Sequence, residues 1–170
     1  MLAKCYSAAV SGVDAQTVEI EVFSTVGTSS FAIVGLPDQA VKEAKDRIPT
    51  ALKSQGLDSK KELDITVNLA PADVKKEGPV YDLPIAVGLL RAMGRVMNEK
   101  LDEYAFAGEL ALSGEVRRVK GILPMTLEMK RIGRRVMVVP FENADAASVA
   151  EGTDVIAVRS LQETVQFLNG

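Results

Sequence analysis

A chain of 170 residues, 47% hydrophobic and 25% charged, has the make-up of one soluble-type globular domain with a sizeable core. It has one cysteine, Cys5, and no histidine, which excludes an internal disulfide, zinc sites built on His/Cys clusters and catalysis through a histidine base. A net charge of −3 runs against a free-standing nucleic-acid binder, and no apolar run has the length of a membrane span. The opening MLAKCYSAAVSG is too short in its apolar part for a signal peptide, so the expected setting is a reducing cytoplasm.

Residues 3–10 predict a strand, with Cys5 as a small buried hydrophobe. TVEIEVFST (17–25) predicts a second, turning Val18, Ile20 and Val22 inward and Glu19 and Glu21 outward, after a turn at Gly12–Asp14. A third strand at 30–35 stops at Gly35 and Pro37, and three in succession predict an antiparallel meander. A helix should run from Asp38, its cap, through Val41, Ala44, Ile48 and Leu52 to Gly56, with Pro49 kinking it or starting a new turn. ELDITVNLA (62–70) alternates as a strand. A polar loop with Gly78 and Pro79 then leads into a helix at 83–95, with Asp82 as the expected cap.

Farther on, residues 104–110 and 115–119 predict a hairpin around Ser113-Gly114. A helix at 122–132, a strand at 135–140, a short helix at 143–150, a strand at 154–159 and a capped terminal helix complete the chain. This pattern predicts a single α+β domain over residues 1–170, a mixed sheet with helices packed on it. Its back half reads βαβαβ, with a parallel component.

Neither G-x-x-x-x-G-K-[ST] nor G-x-G-x-x-G occurs, so no nucleotide site, cofactor or metal is expected in this domain. Glu19 and Glu21 read as a solvated sheet face. The loop before the 83–95 helix offers two readings: exposed amides holding an oxyanion or phosphate, or a rigid, well-capped connection. Arg117, Arg118, Lys120, Lys130, Arg131, Arg134 and Arg135 cluster in sequence, either as a phosphate- or DNA-binding patch or as ordinary solubilising charge.

Three stretches, VGLPDQAVKEAKDRI, ITVNLAPADVKKEGPVYDLPIAVGLL and FAGELALSGEVRRVKGILP, resemble the N-terminal domain of the ComM/YifB proteins, magnesium-chelatase-like AAA+ ATPases of bacteria. The resemblance covers essentially the whole chain and is most specific from Asn68 to Ala86. It implies the ribosomal-protein-S5-like fold, which this family shares with the C-terminal domain of Lon protease and the Lon-like domain of RadA. Lon-type peptidases place a serine directly after the Gly-Pro of this loop and a lysine near the start of the helix after a Gly-Gly pair. Val80 and Leu123 stand at the matching positions, with Lys120 displaced and Gly121 retained. Neither side chain supplies the hydroxyl and amine of a Ser–Lys dyad, so no proteolysis is expected.

The resemblance further implies an AAA+ motor after residue 170, carrying the ATP and magnesium sites and assembling as a hexamer, with DNA branch migration in natural transformation as the activity. The domain's own part would be assembly, regulation or guiding DNA. In the loop, Gly78 and Pro79 are expected to shape the backbone, while Asn68, Asp73 and Lys76 fasten it; alternatively Lys75, Lys76 and Glu77 project toward the motor. The competing expectations are a free-standing S5-like nucleic-acid-binding module and an enzyme on the same fold, a peptidase or a small-molecule kinase.

Overall fold

The computed structural model describes residues 1–170. Strands β1 (Leu2–Ser11) and β2 (Asp14–Val26) form a long antiparallel hairpin. β3 (Ser30–Val34) and β4 (Leu63–Ala70) are joined through two helices, α1 (Gln39–Lys42) and α2 (Ala44–Ser54). After α3 (Asp82–Ala92) come β5 (Tyr104–Phe106) and a small hairpin of β6 (Glu109–Leu110) and β7 (Val116–Arg117). The chain ends through α4 (Ile122–Arg131), β8 (Val136–Pro140), α5 (Ala144–Ser148), β9 (Asp154–Val158) and α6 (Leu161–Asn169).

Seven strands make one mixed sheet in the order β3-β4-β2-β1-β5-β8-β9, parallel everywhere except at β4-β2 and β2-β1. The α+β expectation holds, with the expected parallel pairs in the back half and a further one, β3–β4, in the front half. The meander does not: β4 enters between β2 and β3, and β3 pairs with it in parallel. A parallel pair needs a crossover, and α1–α2 supply it. Asp64 on β4 draws the 27–30 turn across the strand end, accepting from the amides of Thr28 and Ser30 at 3.0 and 3.2 Å and from the Ser30 hydroxyl at 2.9 Å. Gly27 is required there, since a Cβ would lie 1.9 Å from the Asp64 carboxylate.

Three other boundaries shift. The helix expected from Asp38 to Gly56 breaks at Glu43, and Pro49 sits inside α2. The strand at 104–110 divides: β5 joins the main sheet, while β6 leaves it to pair with β7. The helix expected at 83–95 ends at Ala92, after which the chain turns through Gly94 at φ +77°.

α3 organises the interior. Its residues from Asp82 to Leu90 are all buried, as expected of a helix that is apolar all round and enclosed on every side. It lies on Cys5, Val18, Ile20 and Val22, and contact is close because position 88 is glycine; a Cβ there would meet Val22 at 2.7 Å. α4 covers the other sheet face, placing Ile122, Met125 and Met129 over Ala8, Ala105 and Met137.

Glu128 ties α4 to β2, accepting from the Thr17 hydroxyl at 2.9 Å and the Thr17 amide at 3.2 Å. Its hydrogen bond from Arg131, followed by those from Thr17, holds its carboxyl below the ordinary range against the opposing effect of burial. A depressed carboxyl contributes stability above its unfolded pKa and loses it as pH falls through the folded one. Because solvent screens the exposed Arg131, Glu128→Gln should cost only about 0.5–1 kcal/mol at neutral pH, and less once the solution is acid enough to protonate Glu128. Urea melts at pH 7 and pH 3 check this; an equal cost at both would contradict it.

Candidate functional site: a cleft beside the Gly-Pro loop

A cleft of about 1200 Å³ opens between the end of β1 (Ala8–Ser11), the loop from Val74 to Tyr81 and the Arg118–Lys120 segment. Its loop wall is built by a second strip of chain lying alongside. Pro37 and Lys76 form a parallel bridge, with the Asp38 amide donating to the Lys76 carbonyl at 2.9 Å and the Lys76 amide to the Leu36 carbonyl at 3.0 Å. The Asp38 carboxylate caps α1 by accepting from the Val41 amide at 2.8 Å, and its other oxygen accepts from the Gly78 amide at 3.1 Å. Gly78 has φ +80°, a conformation that favours glycine, and Pro79–Tyr81 form one turn of 3₁₀ helix running straight into α3.

Lys76 fastens the loop from inside. Fully buried, it donates from Nζ to the Gly35 carbonyl at 2.7 Å and to the Pro71 carbonyl. Burial pushes its ammonium below the ordinary value, while the charge of Asp73 pulls it back up. Gly35 must be glycine, for φ is +105° and a Cβ would sit 2.1 Å from the Leu69 carbonyl oxygen.

Asp82 does not cap α3, contrary to expectation. Its carboxylate turns sideways, accepting from Arg47 Nε at 2.7 Å, Arg47 Nη2 at 2.9 Å and the Leu110 amide at 3.0 Å. Arg47 also donates to the Ala40 carbonyl at 2.8 Å. One buried carboxylate thus joins α2, α3 and the β6–β7 hairpin behind the cleft. Burial raises the Asp82 carboxyl, opposed by Arg47 and the Leu110 amide, and the bond to Asp82 raises Arg47 in turn. With no free caps at its start, α3 connects directly to the preceding 3₁₀ turn.

The other predicted residues divide. Asn68 donates to Glu21 across β2–β4 at 3.0 Å and does not reach the loop. Asp73 is exposed and acts on Lys76 through its charge alone. Lys75 and Glu77 pair with each other at 3.4 Å on the exposed side of the loop. Val80 lines the cleft and packs against both apolar clusters, whereas Leu123 is half-buried in the first turn of α4 and lines no part of the cleft.

The seven basic residues do not form one patch. Arg118 and Lys120 line the cleft at the start of α4 with Arg117 beside them, while Lys130, Arg131, Arg134 and Arg135 lie at or past its far end. Ten residues of helix, about 15 Å, separate the groups. Arg131 is engaged by Glu128, and Arg134 stacks on Tyr6 at 3.7 Å and donates to the Asp102 carbonyl.

Several residues of the site carry no local signal. Asn143 holds the far wall, accepting from the Val119 amide at 2.9 Å and donating to the Val119 carbonyl at 3.0 Å. Tyr81, buried beneath the cleft, donates to the Ala8 carbonyl at 3.4 Å, and burial raises its phenol well above the ordinary value. Glu109 reaches the cleft from the hairpin, joining the predicted Arg118. The arrangement offers shape, main-chain groups along β1 and charges of both signs.

The family model described as subunit ChlI of Mg-chelatase matches residues 18–143. The chain is 41% identical over 169 residues to the competence protein ComM of Haemophilus influenzae, covering 99% of this chain and 33% of that protein. It is 40% identical over 167 residues to the YifB protein of Escherichia coli, covering 97% and 32%. With Lon protease 2 of Bacillus subtilis identity is 23% over 163 residues, covering 87% and 29%, in keeping with the mixed α/β architecture. The chain spans about a third of the length of these relatives.

Proposed function

Because the chain belongs to the family of the magnesium-chelatase subunit ChlI, together with ComM and YifB proteins, we propose that it is a non-catalytic N-terminal domain of a ComM- or YifB-like AAA+ ATPase that acts on DNA. In this reading ATP and magnesium are held by a motor domain outside these residues, and that motor is the domain's first partner. The assembled protein is a cytoplasmic hexamer migrating branched DNA during recombination and natural transformation. The competence protein among the relatives and the ChlI family supply the support for this assignment.

One observation carries the non-catalytic part. Directly after Gly78-Pro79, in the wall of a well-formed cleft, stands the aliphatic side chain of Val80, packed into both cores. A nucleophile at that point would need a hydroxyl or thiol with a base in reach, and valine offers neither. The cleft then serves to bind or position.

The test compares this chain with the longer protein that carries it. ATP hydrolysis should be absent from the 170-residue chain and present in the longer one. Removing the domain should reduce branch migration more than it reduces ATP turnover. Hydrolysis of ATP by the 170-residue chain alone, or branch migration indifferent to its removal, would count against the proposal.

A second reading, a nucleic-acid-binding S5-like module, is favoured by Arg117, Arg118 and Lys120, which stand exposed and close together at the cleft. It requires binding that weakens steeply with salt and with Arg117→Glu/Arg118→Glu; binding insensitive to both rules it out.

A further inference from the structure

The two edges of the sheet are finished differently. At the β9 edge the hairpin closes over the strand end: Glu115 bridges to Ser160, and the Val116 amide donates to the Arg159 carbonyl at 2.8 Å. At the other edge β3 pairs with β4 on one side and with nothing on the other. Its sequence, SFAIV, has no charge and no proline. Edge strands are ordinarily blunted by such residues, and an unguarded one is a template for a further strand.

At the Ser30–Phe31 end of β3 a groove of about 450 Å³ opens between α2 and the 58–62 segment and runs inward over the start of β4 to Leu89 of α3. Phe31, Pro49, Leu52 and Leu63 line its apolar part. Around it stand Lys45, Lys53, Lys60 and Lys61, none of them in an ion pair. Asp58 and Glu62 also line it, so four positive and two negative charges leave an excess of two positive in a chain whose net charge is −3.

We propose that β3 and this groove form a docking site for an extended acidic segment of a partner polypeptide, which adds an eighth strand outside β3. An added strand satisfies the free main-chain groups of the edge, and its side chains alternate between the two faces. Those on the helix side fall along α2, with apolar groups over Phe31 and Pro49 and carboxylates toward the lysines. Complementary charge selects the acidic partner and speeds its encounter. A nucleic acid uses the lysines but gains nothing from the strand edge.

The probe is a short capped peptide of alternating glutamate and valine, titrated into the 170-residue chain at low salt. Amide shifts and exchange protection should appear at Ser30–Val34. The exposed-site variant Lys45→Glu/Lys53→Glu should weaken binding about tenfold or more. The same peptide with lysine for glutamate should not bind, nor should one N-methylated at alternate amides, which cannot pair. The proposal is overturned by no binding, by shifts confined to other surfaces, or by equal binding of the N-methylated or lysine peptide. It is overturned equally if oligothymidylate perturbs the same residues as tightly as the acidic peptide.

Discussion

Replacing Arg47 with methionine will destabilise the fold by about 3–5 kcal/mol, among the largest single-residue effects in this chain. The substitution leaves Asp82, 1% exposed, with only the Leu110 amide to hold its charge. Asp82→Ala should likewise cost more than the ~1 kcal/mol of a lost helix cap, because it strands the guanidinium and the Leu110 amide together. The double variant Arg47→Met/Asp82→Leu should cost much less than the sum, since removing both partners removes the uncompensated charge.

The pH dependence carries a sign. Burial raises the Asp82 carboxyl, and losing Arg47 raises it further, so the folded variant takes up a proton more readily than its unfolded chain. A raised carboxyl makes stability fall as pH rises through the window above the ordinary value of 3.8, so the deficit of the Arg47 variant must shrink on acidification. Denaturant melts at pH 7 and pH 4.5 measure it. The same deficit at both would mean that Arg47 acts by packing alone.

Lys76→Met should cost about 2–4 kcal/mol, leaving the Gly35 and Pro71 carbonyls buried without their donor. Methionine fills most of the same volume, so the loss falls on hydrogen bonding, and it should be local. Amide exchange at Lys76 and Gly78 should accelerate sharply while the core of α3 stays protected. The wild type has its own signature. An ammonium held below its ordinary 10.5 disfavours folding while charged, so stability should rise as pH climbs toward 10.5, and the methionine variant should lack that rise. Uniform acceleration across the whole chain would show Lys76 to be a general core residue with no particular hold on the cleft loop.

How much of this was readable beforehand follows the range of each interaction. Strands that alternate over many residues, such as Val18–Ile20–Val22 and Ile65–Val67–Leu69, were placed by their own pattern, and their apolar members are buried. Local caps were readable too: Asp38 accepts from Val41, and Ser160 accepts from Glu163 at 3.1 Å. The features that local pattern does not encode are long-range. The sequence predicts a cap at Asp82 because a carboxylate before a helix ordinarily is one, and nothing nearby signals Arg47, 35 residues away.

The meander is excluded by another long-range contact, since β4, far along the chain, pairs with both β2 and β3 and Asp64 at its start ties down Ser30. The basic cluster was real in sequence and divided in space, because a helix lies between its halves. The groove lysines, Lys45, Lys53, Lys60 and Lys61, come together only once α2 and the segment after it fold beside the sheet. Val80 is legible only through the resemblance to Lon-type peptidases, which place a serine after the Gly-Pro of this loop.

Under the proposed function the cleft beside Val80 binds without cutting. The most direct measurement is hydrolysis of fluorogenic peptides by the purified 170-residue chain, in parallel with the Ser11→Ala and Ser113→Ala variants. The prediction is no turnover in any of the three. Turnover by the wild type that disappears in either serine variant would contradict it.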